Sequence, residues 1–172
     1  KIGENMTLRR ADAMSVSDGV VASYLHNVAA EGMGKIGVLV ALESTADKAR
    51  LMDLGRKVAM HVASAKPLAA TTAELDPAVV EKEKQIQMDI ARESGKPEAV
   101  IEKMIEGRMK KYVAESTLLS QAFVVNPDLT VGKAAAEAGI TITGFVRLEV
   151  GEGIEKKEDD FAAEVAKMSG GQ

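Results

Sequence analysis

Two histidines, a pair of aspartates and one Gly-Glu-Gly are the residues of this chain whose types could do chemistry. His26 closes the run Ser-Tyr-Leu-His-Asn, with Tyr24 two positions before it, and His61 lies within Val-Ala-Met-His-Val-Ala. The two are far apart, no Cys accompanies them, and neither has an Asp or Glu at ligand spacing, so the metal signal is weak. A histidine inside an apolar helix is most often a packed or hydrogen-bonded one, which is the expectation for His61. Asp159 and Asp160 could be paired carboxylates, but they stand just ahead of Phe161, where acidic residues favour a helix start. Gly151-Glu152-Gly153 has too little around it to be a dinucleotide fingerprint. There is no Gly-x-Ser-x-Gly elbow and no phosphate-binding Gly-rich loop ending in Lys-Ser/Thr. These residues build no active site. The expectation is a protein that acts by binding and is not an enzyme, with no catalytic residue, no cofactor and no metal.

Composition narrows the class further. The 172 residues suffice for one domain, or one domain with an appendage. Hydrophobic residues make up 46%, which argues for a packed core, and with 3% aromatics and no Trp that core must be aliphatic, with nine Met to fill gaps. A formal net charge of −4 disfavours direct nucleic-acid binding, which needs a positive field. The absence of Cys fits a reducing, cytoplasmic setting. No apolar run approaches the ~20 residues of a membrane span. The chain begins without Met, inside what reads as a strand, so a fragment is expected.

The elements that must position these residues follow from periodicity. Met6 to Val16 and Val20 to His26 read as strands joined by a turn at Asp18-Gly19, and Val28 to Gly34 as a small-residue loop. Ile36 to Leu42 is continuously apolar and reads as a central strand buried on both faces. Ser44 with Asp47 resembles a capping box ahead of a helix from Ala46 to Ala65, with Leu51, Leu54, Val58, Val62 and Ala65 on its inner face. Lys66-Pro67 ends it. Asn126-Pro127-Asp128 marks a turn, Thr130 caps a short helix stopped by Gly139, and Thr141 to Val150 alternates as the last strand. A final helix runs to about Met168, with Phe161, Val165 and Met168 at i, i+4 and i+7.

Between these lies a helical hairpin from Pro77 to about Leu119, broken once at Ser94-Gly95-Lys96-Pro97, a break short enough to make its helices antiparallel neighbours. Its predicted seam is Val80, Ile86 and Ile90 against Ile101, Met104, Ile105 and Tyr112. From Glu81 to Lys111 it carries eight basic and seven acidic residues, the balance of a solvated face. The class expected is α+β: a small antiparallel sheet covered by helices, with an inserted antiparallel helical hairpin. The expected divisions are residues 1–76 and 120–153 for a core subdomain, 77–119 for the hairpin, and 154–172 for a C-terminal helical module.

Several long blocks, in order, resemble one family. VEKEKQIQMDIARESGKPEAVIEKMIEGRMKKY is similar to the coiled-coil insertion of bacterial elongation factor Ts. KIGENMTLRR, VAMHVASAKP and TGFVRLEVGEGIEKKEDDFAAEVAKM match in the same order, so the resemblance covers nearly the whole chain. It implies a guanine-nucleotide exchange factor of translation elongation, whose partner is the GTPase elongation factor Tu. By the resemblance, His26 with Tyr24 lies on a docking face for that partner. Phe161, Val165 and Met168 belong to a C-terminal helix that also docks, and the hairpin is a coiled coil. The family's Thr-Asp-Phe wedge has no match here, so this piece is expected to keep docking surfaces and to lack the wedge. The alternative is a stand-alone scaffolding module that forms a homodimer through the hairpin. A weaker one, RNA association through Arg108, Lys110 and Lys111, runs against the acidic total.

Overall fold

Ile36–Leu42, the longest apolar run, lies within the middle strand of a three-stranded antiparallel sheet. In the computed structural model, which describes residues 7–154, this strand is β2 (Met33–Glu43), flanked by β1 (Gly19–Ala30) and β5 (Thr141–Glu149). Val38, Val40 and Leu42 are all but inaccessible because α1 (Lys48–Ala65) covers that face. Gly55 sets the distance between helix and sheet. A Cβ there would stand 2.3 Å from Leu42 Cδ1 and 2.5 Å from Ala22 Cβ, so only a glycine lets the helix settle this close.

The remaining elements close the core. α2 (Pro77–Arg92) and α3 (Glu98–Ser116) form the hairpin, followed by β3 (Ala122–Phe123), β4 (Asn126–Thr130) and α4 (Val131–Glu137) before β5. Leu118, Phe123, Val131 and Ile140 pack with the sheet and α1 in one aliphatic cluster. The class is α+β, as expected. Thr130 caps α4 by accepting from the Lys133 amide at 3.2 Å, also as expected.

Several local expectations are corrected. Residues 7–16 form no strand. The third strand is β5, and the N-terminal segment is held by side-chain ties: Arg9 donates to the Glu152 carbonyl at 2.6 Å and Arg10 to the Glu152 carboxylate at 3.1 Å. The hairpin turn is therefore not at Asp18-Gly19. It is at Glu31-Gly32, because β1 and β2 continue through the predicted loop, with Ala30 opposite Met33 and an irregularity between Val28 and Ala30. The N-cap of α1 is Asp47, which accepts from the Ala49 and Arg50 amides, whereas Ser44 Oγ donates to the Gly139 carbonyl at 2.9 Å. The buried face of α1 runs through Leu51, Val58, Ala59, Val62 and Ala63, and Ala65 is exposed. Asn126-Pro127-Asp128 lies in β4, and the turn is the preceding Val124-Val125.

The hairpin forms with Asp76 as N-cap of α2, its carboxylate accepting from the Ala78 amide at 2.8 Å. Gly95 (φ +65°) supplies the left-handed residue at the break, and Pro97 sits at the N-cap of α3. The helices meet through buried Ala91, Ile101 and Ile105, with Met88 and Met109 against them. Ile86 and Ile90, expected in the seam, are 43% and 50% exposed. At ~100° of turn per residue they lie on the far side of α2 from Met88 and Ala91, and the small Ala91 takes the close-contact position. Val80, Met104 and Tyr112 are half-buried. At the base the two chain passages are stitched together: Leu68 N donates to Ser116 O, and Leu118 N and Leu119 N donate to Ala69 O and Ala70 O. Thr117 and Leu118 are fully buried there, so the last residues of the expected hairpin belong to the core. Among the described residues no helix is long and apolar enough to cross a membrane.

Candidate partner-docking surfaces

The outer edge of β1, unpaired among the described residues, carries the first surface. Residues two apart on a strand share a face, which brings Tyr24 and His26 together. Tyr24 Oη and His26 Nδ1 are 3.2 Å apart, and the rings tilt at 40° with centroids 6.1 Å apart. Tyr24 is half-buried against the core while His26 is exposed, so the phenol anchors the imidazole at the rim. Around them the extended β1–β2 hairpin leaves apolar side chains in the open: Val28 and Met33 are 62% and 63% exposed. A groove between β1 and α1 is lined by Tyr24, Leu25, Val28, Met52, Asp53 and Arg56. An apolar patch with aromatic and polar handles beside a strand edge that no described residue pairs has the composition of an interface. Leu25, Val28, Met33 and Met52 were missed by sequence reasoning. The signal was the bulky Val28 and Met33 inside a stretch of small residues interrupted only by Glu31.

His61 does the opposite of His26. The residue is 1% exposed, on the inner side of α1. The backbone amide of Val124 donates to Nδ1 at 3.2 Å, so that nitrogen carries no proton. Nε2 therefore bears the proton and donates to Gln121 Oε1 at 2.8 Å, and Gln121 Nε2 donates on to the Glu115 carbonyl at 2.6 Å. The ring meets Phe123 edge-on at 5.9 Å. Burial pushes the His61 pKa below its ordinary value, and the bond to Gln121 opposes that only in part. His61 is thus a neutral tie from α1 to the segment that returns from the hairpin, in keeping with its expected structural role. No sequence signal connects it to Gln121.

A charge knot closes the far end of β5. Arg147, its side chain 7% exposed, reaches Glu149 at 2.7 Å and Glu152 at 3.3 Å, and Lys66 approaches Glu149 at 3.4 Å. The hydrogen bond from Arg147 holds the Glu149 carboxyl below its usual range, with the charge of Lys66 helping. This knot fixes Gly151-Glu152-Gly153 as a tethered turn. Among the described residues no group of three or more His, Cys, Asp or Glu could hold a metal. Asp159, Asp160, Phe161, Val165 and Met168 lie outside the described residues.

Comparison with known proteins matches these features to one family. The family described as "Elongation factor TS" matches residues 1–152. Elongation factor Ts of Dinoroseobacter shibae is 68% identical over 170 residues, covering 99% of this chain and 56% of that protein. The Roseobacter denitrificans protein of the same name is 70% identical over 167 residues, 96% of this chain and 55% of its own length. That of Caulobacter vibrioides is 58% identical over 175 residues, 98% and 56% respectively. The chain thus spans about half the length of these curated relatives. A match of this extent and identity shows that the chain belongs to the elongation factor Ts family.

Proposed function

We propose that this chain supplies docking surfaces of a cytoplasmic guanine-nucleotide exchange factor that binds elongation factor Tu during translation elongation. The observation that supports it is the β1 rim: exposed His26 braced by Tyr24 and bordered by Val28, Met33 and Met52. Membership of the family supplies the partner. Such a factor breaks no covalent bond. It accelerates GDP release only if it binds the nucleotide-free partner more tightly than the nucleotide-bound one. The 172 residues contain no Thr-Asp-Phe, the wedge that the family uses for this difference, so the chain by itself binds without matching a full-length factor in exchange. The C-terminal stripe Phe161, Val165 and Met168 is a second docking element in this reading. The test pairs binding to elongation factor Tu with release of a fluorescent GDP. His26→Ala is expected to weaken binding about 5–50-fold, the range of an interface position near a hot spot. Unchanged affinity would remove the β1 rim from the docking face, and exchange equal to a full-length factor would defeat the proposed role of the wedge.

A second reading rests on Val79, Ile86 and Ile90, which are 40%, 43% and 50% exposed and follow one row of α2. Such a row can pair with its own copy, making the hairpin a coiled-coil dimerisation device. Light scattering of the chain alone distinguishes the two. A dimer that Ile86→Glu with Ile90→Glu converts to monomer supports it, and a monomer at every concentration rejects it.

A further inference from the structure

The hairpin has a second long feature, on the side of α2 away from Ile86 and Ile90. A groove of about 550 Å³ runs between the helices, floored by Val80, Met88, Ile101, Ile105 and Met109. It is open because the α2 row Val80-Lys84-Met88 has a lysine at its centre. The charged head of Lys84 keeps to solvent, and no apolar side chain of α2 fills the place between Val80 and Met88. One rim is Glu98, Glu102 and Glu106, spaced at i, i+4 and i+8, where like charges repel along a helix. All three are exposed, and none makes an ion pair or side-chain hydrogen bond among the described residues. The opposite edge of the hairpin is different: there Arg108 donates to Gln87 at 3.0 Å and Lys111 pairs with Glu115 at 3.7 Å. The unneutralised carboxylates therefore lie along the apolar trough.

We propose that this groove is a docking site for a basic amphipathic helix of a partner protein. Its apolar face would fill the trough over Ile101 and Ile105, and a flank of Lys or Arg at i, i+4 spacing would lie along Glu98, Glu102 and Glu106. Met88 and Met109 form pliable walls suited to such a helix. The stretch from Glu98 to Met109 is about three turns, ~16 Å, which sets the length of the occupant. The carboxylate rim repels nucleic acid and anionic lipid. This site is distinct from the β1 rim, and its test does not depend on elongation factor Tu.

The test uses the whole chain with labelled methionine methyls and two designed amphipathic peptides of about 15 residues, short enough to be only marginally helical until bound. They share a leucine face and differ only in a lysine or a glutamate flank. The lysine peptide is expected to shift the Met88 and Met109 methyls saturably and to weaken roughly tenfold between low and about 0.3 M salt, as screening shortens. Glu98→Gln with Glu102→Gln and Glu106→Gln is expected to weaken it by a similar factor without changing the circular dichroism. Equal binding of both peptides, no shift with the lysine peptide, or no effect of the triple change overturns the proposal. So does movement of the same methyls on diluting the protein alone, which would put a second copy in the groove.

Discussion

His61→Ala is the substitution that most directly tests how the hairpin is tied to the core. Two partners are stranded by it. Gln121 Oε1 loses its donor, and Gln121 is only 9% exposed. A buried polar group left unsatisfied costs about 1–3 kcal/mol. The Val124 amide loses its acceptor too, but it is only part-buried and reaches water, so it contributes at the bottom of that range. The edge contact with Phe123 adds about 0.5–1.5 kcal/mol. Together these give about 2.5–5.5 kcal/mol, a large share of the ~5–15 kcal/mol that holds a typical domain. At this chain length the expected fall in melting temperature is about 5–22 °C. The loss should also depend on pH. The folded state holds His61 below its unfolded value of 6.5, so the folded protein favours the neutral ring. Its contribution is complete above pH 6.5 and is lost as pH falls below it, because the unfolded chain then takes up a proton that the folded one resists. Urea unfolding of both proteins near neutral pH and near pH 5 measures this, and amide exchange over residues 115–124 locates it. A penalty under about 0.5 kcal/mol, or one that does not shrink on acidification, would refute the network drawn here.

Three further outcomes are expected. His26→Ala should change stability by less than about 0.5 kcal/mol by thermal melting, since an exposed imidazole strands nothing buried. Replacing residues 79–113 with a short Gly/Ser linker should preserve one cooperative unfolding transition, whereas extending the deletion through Leu118 should abolish it, because Thr117 and Leu118 are fully buried in the core. Val165→Asp with Met168→Asp should weaken binding to elongation factor Tu by about 1–3 kcal/mol by calorimetry while leaving the melting curve in place; aggregation of the free chain would show that the stripe serves folding instead.

Where the local pattern admitted a single answer, it was legible from residues alone. Ile36–Leu42 was legible as the central strand, because a short unbroken apolar run suits a strand with neighbours on both sides, although it is not buried on both faces: Gly37 and Leu39, away from α1, stay half-buried. Gly95 and Pro97 marked the hairpin break, and Thr130 the start of α4, because backbone conformation and capping are decided within a few residues. The long blocks in family order pointed to the elongation factor Ts family.

What depended on distant partners was not legible. Met6 to Val16 alternates well enough for a strand, but which segment pairs with β2 is decided by competition across the chain, and β5 lies there. The seam of the hairpin shows the same limit. Ile86 and Ile90 are the more hydrophobic choice, yet the helices approach through Ala91, because close contact rewards a small side chain at the crossing point. His26 and His61 carry the same ring. One is left at the outer edge of β1 beside a tyrosine, and the other is enclosed between Gln121 and the Val124 amide, about sixty residues further along. The sequence alone determined the central strand, the helices with the break between α2 and α3, the aliphatic core and the family. The tertiary structure decided which faces are buried and which stay open to a partner, because burial is set by contacts between segments that no local pattern encodes.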